Sequence, residues 1–100
     1  TKSGFKRIPI KNISEIESEY FLRFKVQDKP GVLSVISGIL GEHSISIKSV
    51  LQRGRDEDGK GVPLILMTHQ AGEKNIQGAL QKIDQQEVVC EKSILVRCEN

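Results

Sequence analysis

Asp28, Lys29, Pro30, Gly31, Val32 and Leu33 are the residues of this chain whose types and spacing could do chemistry. An acid, a cation, a proline and a glycine stand together just before a run with helical period. The first backbone N–H groups of a helix lack intrahelical partners, so they point at whatever fills the turn. Such an end can hold a small anion. If the N–H groups of Gly31, Val32 and Leu33 receive a carboxylate and Asp28 meets an ammonium group, one turn answers both charges of a free amino acid. A purely structural reading makes Asp28 the helix N-cap, Pro30 a first-turn helix residue and Gly31 plain turn geometry. Either way the residues describe a binding module rather than a catalyst.

The turn needs elements to hold it. Tyr20, Leu22, Phe24 and Val26 alternate with Phe21, Arg23, Lys25 and Gln27, which predicts a strand over 19–27 with one buried face. Val32, Val35, Ile36, Ile39 and Leu40 recur at helical spacing and predict a helix over 31–42. Gly38 and Gly41 weaken that helix by about 1 kcal/mol each relative to alanine, and on its surface they permit close approach by another backbone. Ile45, Ile47 and Ser49 alternate with Ser46, Lys48 and Val50, predicting a second strand to about Arg53, and 54–61 is a polar hairpin tip. The run 62–68 is apolar on both faces, as in a central strand, and Pro63 fits there only with its missing N–H facing outward. A second helix is predicted over 73–85, with Ile76, Ala79, Leu80 and Ile83 on one face, and a last strand carries Ile94, Val96 and Cys98.

This order, β-α-β-β-α-β, predicts an α+β, ferredoxin-like fold: a four-stranded antiparallel sheet with both helices on one face. Strands one and three should be central and strand two an edge. Residues 1–18 have no clear period, Pro9 interrupts their isoleucines, and Ser14 with Glu17 has capping-box spacing. They read as a linker, and 19–100 as the folded domain.

Composition narrows the function classes. A charge balance of +2, spread along the chain, argues against a dedicated nucleic-acid or membrane partner. No apolar run approaches the roughly 20 residues that span a bilayer, and no signal peptide is recognisable. Cys90 and Cys98 read as small buried or half-buried residues of a reducing, cytoplasmic compartment. The chain opens on Thr1, and Met67 is its only methionine, which suggests a piece of a longer protein.

Other motifs fail on chemistry. Gly54 to Gly61 nearly matches a phosphate loop, but Gly61 stands where a hydroxyl must hold magnesium, and three carboxylates would repel phosphate. Asp56 and Asp58 begin like a calcium loop that lacks its closing glutamate. His43, at the end of the first helix, and His69, after the third strand, have no ligand-spaced partners, so no metal is expected. Asn12-Ile13-Ser14 is a chance glycosylation match. RNA-binding relatives of the fold stack bases on sheet aromatics; here the aromatics are Phe5, Tyr20, Phe21 and Phe24, with none on strand three. No catalytic constellation survives, so this piece is not expected to be an enzyme.

The Asp-x-Pro-Gly turn after a strand, in this element order, resembles the signature of the ACT domain. Tyr20-Phe21-Leu22-Arg23-Phe24, Gly38-Ile39-Leu40-Gly41, Ile45-Ser46-Ile47 and the Val62-Pro63 to Thr68-His69 string together resemble the C-terminal regulatory ACT domain of bacterial homoserine dehydrogenases. The resemblance implies a parent enzyme that interconverts aspartate semialdehyde and homoserine with NAD(P), the cofactor and catalytic residues lying outside this piece. It implies sensing of an amino acid of the threonine and methionine pathway, threonine first among them. Carried over by position, the ligand turn is Asp28, Lys29, Gly31, Val32 and Leu33, faced by Ser46 and Ile47 of a second copy in a homodimer formed through strand two and helix one. Many such sensors carry Asn or His where Lys29 stands. The other reading of the resemblance is an assembly domain that binds no ligand.

Overall fold

The computed structural model describes residues 16–55 and 59–98. Its elements are β1 (Glu17–Val26), α1 (Val32–Glu42), β2 (Ile47–Gln52), β3 (Val62–Thr68), β4 (Ala71–Gly72), α2 (Glu73–Ile83) and β5 (Val89–Cys98). All strand pairings are antiparallel, with β1 between β3 and β5, and β2 outside β3. The fold is ferredoxin-like, with β1 and β3 central and β2 an edge, as the alternation predicts. Most of the expected linker, the Asn12-Ile13-Ser14 match, Ser14 of the capping-box pair, Phe5, Asp56 and Asp58 lie outside the described residues.

The alternation in β1 is resolved as written. Tyr20, Leu22, Phe24 and Val26 are buried, and with Leu64 and Leu66 of β3 they form a core roofed by α1 and α2. α1 contributes Val32, Ile36, Ile39 and Leu40 to it, and α2 contributes Ile76, Ala79, Leu80 and Ile83. Both helices therefore cover one face of the sheet. Pro63 sits in a central strand without breaking it. Its carbonyl accepts from the Arg53 N–H at 3.3 Å, so its nitrogen turns toward β2 and not outward as expected; it is tolerated because it lies at the end of that ladder.

Three strand starts differ from expectation. β1 starts at Glu17, two residues into the expected linker, because β4 pairs Glu17 with Gly72 and Ser18 with Ala71. β2 starts at Ile47: Ile45 is buried in the connection, its N–H bonded to Leu40 O at 3.0 Å, after Ser44 at φ 61. β5 starts at Val89, and its register against β1 shifts between Arg23 and Lys25 and again between Lys25 and Val26. Those irregularities hide the alternation over 89–93. Cys90 is exposed, not buried or half-buried, because it lies in that irregular stretch of an edge strand; Cys98 is intermediate.

Gly61 closes the β2–β3 connection at φ 104, where a Cβ would lie 3.0 Å from Cys90 Sγ, Lys25 Cγ and the Val26 carbonyl. No helix among the described residues is long and apolar enough to cross a membrane.

Candidate functional site

The turn 28–31 stands at one end of the sheet, after the row that pairs Val26 with Val62. Asp28, Lys29, Pro30 and Gly31 are exposed, Val32 is buried, and Leu33 is 41% exposed. The turn is thus anchored by Val32 and Val26 in the core while its polar residues face solvent.

The capping assignment is corrected by the backbone. The N-cap is Gly31, left-handed at φ 89, and no side chain caps the helix. Asp28 lies too far before it. Its carboxylate instead faces Arg55 of the β2–β3 connection, with Oδ2 and Nε 3.9 Å apart. Pro30 precedes the helix rather than entering it. The result suits an anion better than the structural reading did: α1 has no side-chain cap and no acidic residue in its first turn. Its dipole and first N–H groups are therefore not answered by a carboxylate of its own first turn.

Gly31 is required by its conformation. No atom lies within 4 Å of where a Cβ would go, so the cost of a side chain is conformational rather than steric. Gly31→Ala is expected to destabilise the domain by about 1–2 kcal/mol, read by urea unfolding, and to distort the first N–H groups of α1.

Ser46 and Ile47 are not near this turn in one copy. Ile47 pairs with Thr68 at the far end of β3, and the Ser46 carbonyl accepts from the His69 N–H at 2.9 Å. β3 spans 7 residues between those rows, about 20 Å at about 3.3 Å per residue. One small ligand cannot touch both. Within the single copy, then, Asp28, Lys29, Gly31, Val32 and Leu33 come together, while Ser46 and Ile47 stand apart. Sequence reasoning missed Arg55, whose place opposite Asp28 depends on how a polar hairpin folds back; no local pattern announces it.

β2 is the strand through which a second copy could restore the pairing. Its residues from Lys48 to Gln52 are all exposed, including Val50 at 41% and Leu51 at 51%. From Ser49 to Gln52 its register against β3 is regular, whereas β5, the other edge, is irregular, as protected edges are. On α1, Gly38 and Gly41 are exposed with open space around them, and Leu33 and Val35 are exposed beside them.

His43 is the C-cap of α1, with Nδ1 2.9 Å from the Ile39 carbonyl oxygen. Among the described residues, no three His, Cys, Asp or Glu side chains gather as a metal site would need. A separate open groove of about 830 Å³ runs between α2 and β5, past Gln81, Asp84, Cys90, Ser93 and Leu95. Asp84 is engaged there by the Ser93 N–H and hydroxyl, both at 3.0 Å. None of the residues of the ligand turn lines it.

A model of the ACT domain family matches residues 20–88. Homoserine dehydrogenase of Pseudomonas aeruginosa is 37% identical over 91 residues, which are 91% of this chain and 21% of that protein. The Helicobacter pylori homoserine dehydrogenase is 33% identical over 95 residues, 95% of this chain and 22% of that one. The chain thus spans about a fifth of the length of the curated relatives it matches. The crystal structure of a homoserine dehydrogenase from Thiobacillus denitrificans superposes with a TM-score of 0.82 at 35% identity, covering 92% of this chain and 20% of that one. The ACT domain from GTP pyrophosphokinase of Chlorobium tepidum shares the fold, with a TM-score of 0.62 at 16% identity. With its ferredoxin-like sheet, its glycine-opened first helix and a family match over most of its length, this chain belongs to the ACT domain family.

Proposed function

We propose that this chain is the regulatory, amino-acid-sensing domain of a homoserine dehydrogenase, with threonine as its effector. The observation that carries the reading is the start of α1: an N-terminus without a side-chain cap, opened by a left-handed Gly31, with Asp28 on the adjoining turn. The ligand carboxylate takes the N–H groups of Gly31, Val32 and Leu33, and its ammonium group takes Asp28, which also faces Arg55 at 3.9 Å. Lys29 flanks the carboxylate.

The site is completed by a second copy. Pairing two β2 edges antiparallel, with α1 against α1, sets the start of one copy's β2 beside the other copy's turn. Ser46 and Ile47 then face the ligand across the interface. An effector that prefers one pairing geometry shifts the population toward it, and a coupling of about 1–3 kcal/mol is enough for feedback. The parent chain supplies the NAD(P) site and the oxidoreductase chemistry, and this piece supplies none.

The exposed β2 edge would serve equally in a domain that only assembles its parent. Thermal melting against a panel of L-amino acids separates the readings. Threonine at about 100 times its dissociation constant should raise stability by roughly 2.7 kcal/mol. No shift with threonine, isoleucine, methionine, serine or lysine at millimolar concentration would leave assembly as the function.

A further inference from the structure

The sheet has a second apolar face, opposite the helices. Register places Leu51, Ile65, Arg23 and Ile94 side by side in one row across four strands, and Met67, Phe21 and Val96 in the next. Leu51, Ile94 and Val96 are each half exposed, at 51%, 50% and 51%. Polar pairs close the ends of this patch: Lys48 with Glu19 at 3.2 Å on one side, and Lys25 in register with Glu91 on the other. A continuous apolar area with a polar rim marks a protein contact.

Arg23 decides what can cover it. It is exposed between Ile65 and Ile94, and covering a cation without a partner carries a heavy desolvation cost. A second copy laid face to face about a two-fold axis through the patch would bring its own Arg23 against this one. Antiparallel β2 pairing does not cover the face either, since it extends the sheet sideways. We infer that this open face docks on the remainder of the parent polypeptide, through an apolar surface that places a carboxylate opposite Arg23. The inference rests on the chain being one part of a longer protein, as relatives about four times its length indicate. Covalent attachment supplies an effective concentration in the millimolar range, so a modest patch suffices to hold the two parts together.

The test is oxidative footprinting of the full-length parent chain, reading the sulfoxide yield at Met67, which lies half-buried in the middle of the patch. The expected result is protection of roughly tenfold relative to the urea-unfolded chain, unchanged on dilution, because a tethered partner does not dissociate with concentration. Arg23→Glu should abolish that protection by setting two acids against each other. Protection that fades on dilution would mean a second copy covers the face, and reactivity near that of an exposed methionine would mean nothing does; either overturns the inference. Unchanged protection in Arg23→Glu would overturn the acidic partner. No amino-acid effector enters the experiment, so its outcome is independent of whether the turn at Gly31 binds one.

Discussion

Replacing Ile36 by alanine is expected to lower the unfolding free energy by about 3–4 kcal/mol, the usual cost of emptying a fully buried aliphatic site. Ile36 is 0% exposed and packs in the core among residues of both helices and the sheet. It lies one helical turn beyond Val32, so it also fixes how the start of α1 sits on the sheet. For a domain of this size the loss is a large part of a total near about 5–15 kcal/mol. Chemical unfolding measures it. The consequence for function is specific: the start of α1 loses the core contact one turn beyond Val32, so ligand-induced stabilisation should shrink along with basal stability.

Glu73→Ala should cost about 3 kcal/mol, because it removes an acceptor from a buried network rather than a surface charge. The Glu73 carboxylate accepts from the Tyr20 hydroxyl at 2.6 Å and from Gln77 Nε2 at 2.7 Å, with Arg97 3.9 Å away. Its own N–H donates to the Ile16 carbonyl at 2.7 Å. This cluster clips α2 to the beginning of β1. Tyr20→Phe should cost less, about 1 kcal/mol, since the carboxylate keeps its other donors, and a double-mutant cycle isolates the Tyr20–Glu73 coupling.

The same network gives a pH dependence. Burial first, and the Glu73 hydrogen bond second, push the Tyr20 phenol above its ordinary range. Because the folded state holds that proton more tightly, the contribution is fully present below about pH 10, where the unfolded tyrosine titrates. It is lost as the pH rises from there toward the folded-state value. Unfolding free energies measured from pH 8 upward should therefore fall above about pH 10, and Tyr20→Phe should flatten part of that fall.

Much of this was legible in the residue pattern. The buried face of β1, the doubly apolar β3 and the stripe of α2 are set by local period, and period survives folding wherever an element is regular. The irregular pieces were not legible. β4 is 2 residues long and exists only because the start of β1 lies beside it. The first part of β5 carries Cys90, Glu91 and Lys92 on an edge, where register shifts replace alternation. The burial of Glu73 has no signal in the local pattern, since its partners Tyr20 and Arg97 lie on strands far from it in sequence. At the turn 28–31, residue types located the helix start but misassigned its cap. Asp at a turn is a good capping residue by composition, yet Gly31 stands three residues later and takes the N-cap position through its left-handed backbone.

The proposed site is composite, with the turn of one copy facing the start of β2 of another. Amide NMR shifts under titration with L-threonine test it most directly. The Arg53 N–H turns inward to Pro63, so by alternation the N–H of Val50 turns outward. Val50→Pro therefore removes an edge donor needed for pairing two copies without breaking a rung inside the domain. The amides of Gly31, Val32 and Leu33 are expected to shift together with those of Ser46 and Ile47 along one saturation curve, and Val50→Pro to silence both sets. Shifts confined to the groove between α2 and β5, or a response at the turn that persists unchanged in Val50→Pro while Ser46 and Ile47 stay still, would contradict it.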